Sequence, residues 1–360
     1  MYNWQHKKWP DFVFDRVETA QAIDDCEGEL QQLDHRFSQL PLTGHEAIFL
    51  AVTVEEGIQS SSIEGEEINR EDVRSSLLNN IQLGGEKRSV RDIRAAGVAR
   101  LQQESLRDVR APLSLVMIRY WHELLFRDLP YAGVRGDFRD SGQPMRIVSG
   151  PPHRLTIHFE APPSERIPNM MQRFVNPSKP AASAILRAAL DHVHFESIHP
   201  FSDGNGRVGR AIMERTILQT LNGRPLLSIS QAIRATRSDY YGALQEAQRS
   251  LDVTGWLRYY FATLQQAIAN AGELIGFTLR KADYYRRLDA ALGPKQAKVI
   301  QRMWAAGPAG FEGGMTAKKY GRIAGVAPAT ASRQLAGLVG LGALVRVGAG
   351  RGTRYRLPEG

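Results

Sequence analysis

The stretch that most limits what this chain can become is His199-Pro-Phe-Ser-Asp-Gly-Asn-Gly-Arg-Val-Gly-Arg210. It separates two segments with helical periodicity. Upstream, Leu186, Leu190 and Val193 make an apolar stripe on a helix expected from about Pro180 to Ser197. Downstream, Ala211, Ile212, Met213, Ile217, Leu218 and Leu221 cover much of the circumference of a helix expected from about Gly206 to Asn222. A helix apolar on that many sides belongs inside a core.

The loop between them puts one histidine, one carboxylate, three glycines and two arginines within twelve residues. Each type has a use around a polyphosphate. Gly204, Asn205 and Gly206 can turn the chain sharply and aim backbone N–H groups at an anion, and the following helix N-terminus adds its positive end. Arg207 and Arg210, three residues apart, share a helix face and offer two guanidinium forks to phosphate oxygens. Asp203 is a hard donor suited to a Mg²⁺ that bridges phosphates. A neutral imidazole at His199 can accept a hydroxyl proton.

Two competing patterns fail. Gly204-x-Gly206-x-x-Gly209 matches the dinucleotide fingerprint, which requires a preceding strand in a βαβ unit, and here a helix precedes. His192 and His194 stand two apart, on different sides of a helix, and read as ordinary helix residues, one of them partly buried. With Cys26 as the one cysteine there is no zinc set.

At 360 residues the chain is too long for one ordinary core. Helices are expected at about Glu18–Leu40, His45–Ser60, Arg70–Ile81 and Val90–Glu104, with Ser60-Ser61-Ser62-Ile63-Glu64-Gly65 interrupting the second. In residues 145–159, Leu155, Ile157 and Phe159 alternate with Arg154, Thr156 and His158, and Gly150-Pro151-Pro152 supplies a turn, so a β-hairpin is expected. From Pro294 the outline changes to helices at Pro294–Ala306, Thr316–Ile323 and Pro328–Leu341, then two strands around Gly348–Gly352, the order of a winged helix-turn-helix. The net charge of +8 is concentrated in this tail, a footprint for an anionic partner. The single cysteine fits a reducing compartment. The opening residues lack an apolar signal core, and no run of about 18 apolar residues appears, so a cytoplasmic protein with no membrane span is expected.

Every fixed position of the pattern His-x-Phe-x-Asp/Glu-Gly-Asn-Gly-Arg-x-x-Arg is present from His199 to Arg210, and on these residues the chain resembles the Fic family. The resemblance covers about residues 1–290. It implies a mainly α fold: a Fic-type helical bundle with a β-hairpin flap, followed here by the winged helix. It implies four regions: 1–105 helical with an inhibitory motif, 106–275 the catalytic core, 276–293 a helical linker and 294–360 the winged helix-turn-helix. The activity implied is transfer of AMP from ATP to a Tyr, Thr or Ser hydroxyl of a target protein, itself included. His199 would take the hydroxyl proton, Phe201 would anchor the loop, and Asp203 would hold Mg²⁺ on the α- and β-phosphates. Asn205, Gly206 and Arg207 would hold the phosphates, and Arg210 would position the γ-phosphate. Relatives that move the terminal phosphoryl group carry Lys where this chain has Gly206.

The hairpin is similar to the family's flap, which registers the target by strand pairing; a merely structural hairpin is the other reading. Gly136-Asp-Phe-Arg139 and Ala161-Pro-Pro163 resemble the segments flanking that flap. Tyr240 and Tyr241 are similar to the adenine-side segment, with core packing open for each ring. Ser60-x-x-x-Glu64-Gly65 resembles the autoinhibitory motif of the N-terminal class. Glu64 would pair with Arg210 and leave ATP bound with its α-phosphate out of line. In some relatives the same glutamate promotes removal of AMP. The Trp4, Trp9 and Phe12 opening is similar to the N-terminal region of many bacterial members, and relatives of this class form homodimers.

The tail leaves two readings open. Thr330, Ser332, Arg333 and Gln334 stand where a recognition helix contacts bases, and Arg351 and Arg354 flank the wing tip, so DNA is one partner. Dimerisation or protein docking is the other. The rival function for the whole chain is a DNA-binding regulator with a Fic sensor domain. Within enzymology, transfer of a different nucleotide monophosphate or of phosphocholine is the alternative.

Overall fold

In the computed structural model, residues 1–80, 88–130, 135–140, 142, 145–149, 156–178, 181, 183–308 and 310–358 are described. The elements are α1 (Arg16–Ser38), α2 (Leu42–Ile63), α3 (Arg70–Asn80), α4 (Ile93–Ser105), α5 (Leu115–Phe126), β1 (Arg146–Ser149), β2 (Thr156–Glu160), α6 (Ile167–Val175), α7 (Ala184–Ile198), α8 (Asn205–Ile217), α9 (Ile229–Ala235), α10 (Arg237–Ala247), α11 (Thr254–Leu288), α12 (Pro294–Trp304), α13 (Ala317–Ala324), α14 (Pro328–Gly340), β3 (Val345–Val347) and β4 (Arg354–Arg356). The fold is mainly helical, as the sequence implies. Two compact units divide the chain: Met1–His35 with Phe49–Ala271, and Arg36–Ile48 with Gly272–Gly360.

In the first unit α7 and α8 pack along each other at the centre. Their facing side chains, among them Phe195, Ile198, Val208 and Ile212, join Trp121, Phe126, Ile167, Met171 and Phe174 in one buried cluster. Removing these apolar surfaces from water is the main force holding the unit together. Polar side chains set the helix starts. Asp92 caps α4 by accepting from the Arg94 N–H, Ser114 caps α5 through Met117, and Ser228 caps α9 through Gln231. The Asp92 cap places the start of α4 at Ile93, later than the expected Val90.

Three expectations need correction. Ser60–Ile63 does not interrupt α2 but forms its last turn, and Ser61 Oγ bonds back to the Gly57 carbonyl at 3.0 Å. The helix after the loop ends at Ile217, with residues 218–222 in turns rather than helix. His192 and His194 are both buried.

The opening residues are not a separate layer. Trp4 and Trp9 lie in the same core as α7 and α8. Asn3 Nδ2 donates to Ser197 Oγ (2.9 Å) and the Ala247 carbonyl (3.0 Å), and Trp4 Nε1 donates to the Glu160 carbonyl (2.8 Å) on β2. No unit boundary falls at residue 105. β1 and β2 pair antiparallel, Arg146 opposite Glu160 and Ser149 opposite Thr156, with an irregularity between Ile147 and Val148. The expected turn at Gly150-Pro151-Pro152, with Arg154 and Leu155, lies outside the described residues.

The second unit has its own core, in which Tyr284, Ile300, Met303, Trp304, Met315, Tyr320, Leu335 and Leu338 are buried. Residues 276–293, expected as a linker, therefore belong to this unit: the Tyr284 ring meets Trp304 at 5.4 Å. α12, α13 and α14 precede the antiparallel pair β3–β4, and Met315 bridges to Tyr355. Gln334, expected to face a DNA base, instead accepts the Tyr320 hydroxyl at 2.9 Å through its side-chain oxygen.

Candidate active site

The loop 199–204 is shaped at both ends by left-handed backbone. His199 closes α7 with φ +49°, its N–H still donating to the Phe195 carbonyl at 2.9 Å, and Gly204 opens α8 with φ +79°. A non-glycine residue in this region is uncommon and needs support from its surroundings. Arg139 supplies it. Its Nε donates to the His199 carbonyl (2.8 Å), its Nη2 to the Pro162 carbonyl (2.5 Å), and its backbone N–H to the Pro200 carbonyl (2.9 Å). The segments quoted at Gly136–Arg139 and Ala161–Pro163 thus share one buried guanidinium that braces the loop.

Phe201 is buried and stacks on His122, ring centroids 3.9 Å apart and planes at 7°. His122 Nδ1 accepts the Gly136 N–H (3.0 Å), so its proton is on Nε2, which donates to the Asp203 carbonyl (3.1 Å). Burial lowers the His122 pKa to about 4, so the ring stays neutral. Asn205 behaves differently from expectation. Its side chain faces back into the loop, accepting from the Phe201 N–H (2.9 Å) and donating to the Phe201 carbonyl (2.8 Å). Both side-chain groups close the loop rather than point at a phosphate.

The arginines are both engaged by the chain itself. Arg210, 0% exposed, pairs through Nη2 with Glu64 Oε1 at 2.8 Å. The same nitrogen donates to the Ser60 carbonyl (2.7 Å), and Arg210 Nε donates to Ser60 Oγ (3.0 Å). Arg207 pairs through Nη1 with Glu66 (2.9 Å) and through Nη2 with Asp203 (3.3 Å), over the face of Phe126. Arg207 Nε and Arg210 Nη1 remain buried without an acceptor. Gly206 adjoins this cluster: a Cβ there would lie 2.1 Å from Glu64 Oε1 and 3.0 Å from Arg210 Nη1. Glu66 was not anticipated from the sequence, although the acidic run Glu64-Gly-Glu-Glu67 was visible there.

Asp203 is 73% exposed, and its Oδ1 accepts the Gly204 N–H at 2.6 Å. An exposed carboxylate of this kind fits Mg²⁺, which keeps several waters and takes its other ligands from phosphates.

The tyrosines separate. Tyr240 is 1% exposed, its hydroxyl at 2.8 Å from His192 Nε2, so it is a core residue and offers no face to a purine. Tyr241 is 39% exposed, with Arg237 over its ring at 5.3 Å. Its hydroxyl (3.2 Å) and Arg237 Nε (2.8 Å) both donate to the Ile63 carbonyl. Arg234 Nε donates to Ser62 Oγ, which bonds Glu67. The end of α2, which leads directly into Glu64, is therefore clamped by α9 and α10. On the hairpin Phe159 is buried, while Ile147, Val148 and Ile157 are exposed.

Residues 112–217, from α5 to the end of α8, match the Fic/DOC family. The chain carries a Fic/DOC domain. Residues 2–83 match a family described as a domain of unknown function (DUF4172). The chain is 37% identical over 92 residues to a probable protein adenylyltransferase of Aquifex aeolicus, 25% of this chain and 27% of that protein. It is 27% identical over 122 residues to protein adenylyltransferase fic-1 of Caenorhabditis elegans, 34% of this chain and 22% of that protein. The chain thus spans about a quarter or less of the length of these curated relatives. Among solved structures, a Fic family protein from Desulfovibrio desulfuricans G20 superposes with a TM-score of 0.57 at 20% identity, over 97% of this chain and 98% of that one. Caenorhabditis elegans Fic-1 superposes with a TM-score of 0.50 at 17% identity, over 71% and 73%. These likenesses show the fold. No helix among the described residues is long and apolar enough to cross a membrane.

Proposed function

We propose that this chain is a protein adenylyltransferase that moves AMP from ATP to a hydroxyl side chain, held in a restrained state by the end of α2. The observation that carries the reading is the placement of Glu64: an anionic oxygen already rests in the space above Gly206, paired to Arg210. Phosphate oxygens suit the same guanidinium forks and the same glycine-lined space.

In the reaction, the target hydroxyl oxygen attacks the α-phosphorus and the bond to the β-phosphate breaks, so pyrophosphate leaves. His199 takes the hydroxyl proton. Arg207 and Arg210 hold the phosphates once their carboxylates withdraw, and the α8 N-terminus adds its dipole. Asp203 would hold Mg²⁺, which neutralises charge building on the leaving pyrophosphate. Restraint follows from geometry, because Glu64 occupies Arg210 and Glu66 occupies Arg207. ATP that binds without these arginines has its α-phosphate out of line for attack. The exposed strands β1 and β2 supply an edge for the target segment. The test is AMP incorporation by Glu64→Gly protein compared with wild type and with Glu64→Gly/His199→Ala.

For the second unit we propose an anionic partner, with DNA as the first to try. Lys295, Lys298, Arg302, Lys318, Arg322, Arg333 and Arg346 are all exposed on it. Binding to duplex DNA that weakens steeply with salt and persists in His199→Ala supports this reading.

A further inference from the structure

We propose that Glu196 is a positioning residue for His199, holding the imidazole with its proton on Nδ1 so that Nε2 receives the hydroxyl proton. The inference rests on reading His199 as the general base. The two residues face each other across the end of α7, with Glu196 Oε2 3.7 Å from His199 Nδ1. Glu196 is buried, its side chain 6% exposed, and the His199 side chain is 12% exposed. His199 Nδ1 and Glu196 Oε1 are each without a hydrogen-bond partner. A buried carboxylate oxygen left unmatched is costly and calls for an explanation.

The surroundings keep that carboxylate in place. Gly209 on α8 leaves the space it fills: a Cβ on Gly209 would lie 2.6 Å from Glu196 Oε1. Gln248 Nε2 donates to the Glu196 carbonyl at 3.1 Å, fixing the backbone. The neighbouring His192 already meets Tyr240 through Nε2, and burial depresses its pKa, so it stays neutral beside the carboxylate. Burial opposes a charge on Glu196, yet the His199 ring and Arg210 hold its carboxyl below the ordinary glutamate range. The charge is therefore kept where it can act on His199.

The main chain of His199 is already clamped by Arg139. What remains free is the ring, and rotation of less than an ångström closes 3.7 Å to a charge-assisted bond of about 2.8 Å. A carboxylate behind a histidine base selects the tautomer and stabilises the imidazolium without taking its proton. During the reaction the proton passes from the target hydroxyl to Nε2 and the Nδ1 proton stays in place, so Glu196 remains ionised.

The experiment is ¹⁵N NMR of the His199 ring in the whole protein above neutral pH, assigned by its loss in His199→Ala, in wild type, Glu196→Gln and Gly209→Ala. Wild type is expected to show a protonated Nδ1 and a bare Nε2. Glu196→Gln, and Gly209→Ala by pushing the carboxylate out, are expected to lose that preference. In a Glu64→Gly background, Glu196→Gln is expected to cut kcat about 100-fold with KM for ATP within about twofold. An unchanged His199 tautomer in both variants overturns the proposal. A tautomer change with no AMP transfer from any variant keeps the positioning role and refutes the transfer reading.

Discussion

The carboxylate of Glu64 fills the space that Gly206 leaves by having no side chain, its Oε1 2.1 Å from where a Cβ would stand. The same space is the one we assign to phosphate, which separates two variants that both break the pair with Arg210. Glu64→Gly empties the space, so ATP affinity is expected to rise about tenfold, roughly 1.4 kcal/mol. Gly206→Ala fills it, so ATP affinity is expected to fall and AMP transfer not to appear. Calorimetric titration with Mg-ATP checks both. Activation by Gly206→Ala would show that the phosphates lie elsewhere.

Glu66 forms a second, separate contact, with Arg207 at 2.9 Å. Glu66→Ala alone is expected to leave AMP transfer low, because Glu64 still holds Arg210. Added to Glu64→Gly, it is expected to lower KM for ATP by about fivefold, close to 1 kcal/mol, the net worth of a typical hydrogen bond that competes with substrate. Steady-state kinetics of the single and double variants measure this. An unaltered KM in the double variant would place Arg207 outside the phosphate site.

Asn205 holds the loop through two hydrogen bonds to Phe201. Asn205→Ala leaves a buried N–H and carbonyl unpaired, at a cost of about 1–3 kcal/mol. Asn205→Asp keeps the acceptor and loses the donor, and is expected to fall between. Urea denaturation ranks the three proteins. Equal stability for Asn205→Ala would mean that the loop is closed by other contacts.

Glu214 lies on α8, buried, and neither of its oxygens has a partner. Burial, and then the charge of nearby Glu56, raise its pKa well above 4.5. Glu56 itself accepts from Ser228 Oγ (2.7 Å) and the Ser230 N–H (2.9 Å). A raised folded pKa means that stability is full below the unfolded value near 4.5 and is lost as pH rises through the folded value. Glutamine mimics the neutral acid. Glu214→Gln is therefore expected to raise the thermal midpoint at pH 8 by roughly 2–4 °C, the effect of about 1 kcal/mol in a unit of this size. The gain should vanish at pH 4.5. A lower midpoint at pH 8 would mean that the carboxylate stabilises the fold when charged.

The loop and its two helices were legible because the chemistry is contiguous: His199, Asp203, Gly206, Arg207 and Arg210 fall within twelve residues, between apolar stripes of clear period. Phe201 was legible as an anchor only through the family resemblance. Side-chain direction was not. Tyr240 and Tyr241 are neighbours on a helix and point about 100° apart, and nothing local says which one meets His192. Asn205 reads as a polar loop residue whether it faces a ligand or its own backbone. Ser60–Ser62 looked like a break, but the Ser61 hydroxyl satisfies itself within the helix and α2 continues. The long-range contacts were out of reach altogether. Arg139 to His199 and Glu66 to Arg207 join residues 60 and 141 positions apart. Trp4 and Trp9 have no period that would reveal their place against α7.

The account stands or falls on whether Glu64 restrains an AMP transfer that requires His199. Purified wild-type, Glu64→Gly and Glu64→Gly/His199→Ala proteins are incubated with Mg-ATP isotope-labelled in its adenine, with a mixture of Tyr-, Thr- and Ser-containing acceptor proteins present, and label bound to protein is counted. The account predicts strong labelling by Glu64→Gly, weak labelling by wild type and none by the double variant. Equal labelling by wild type and Glu64→Gly, or labelling that survives loss of His199, would contradict it.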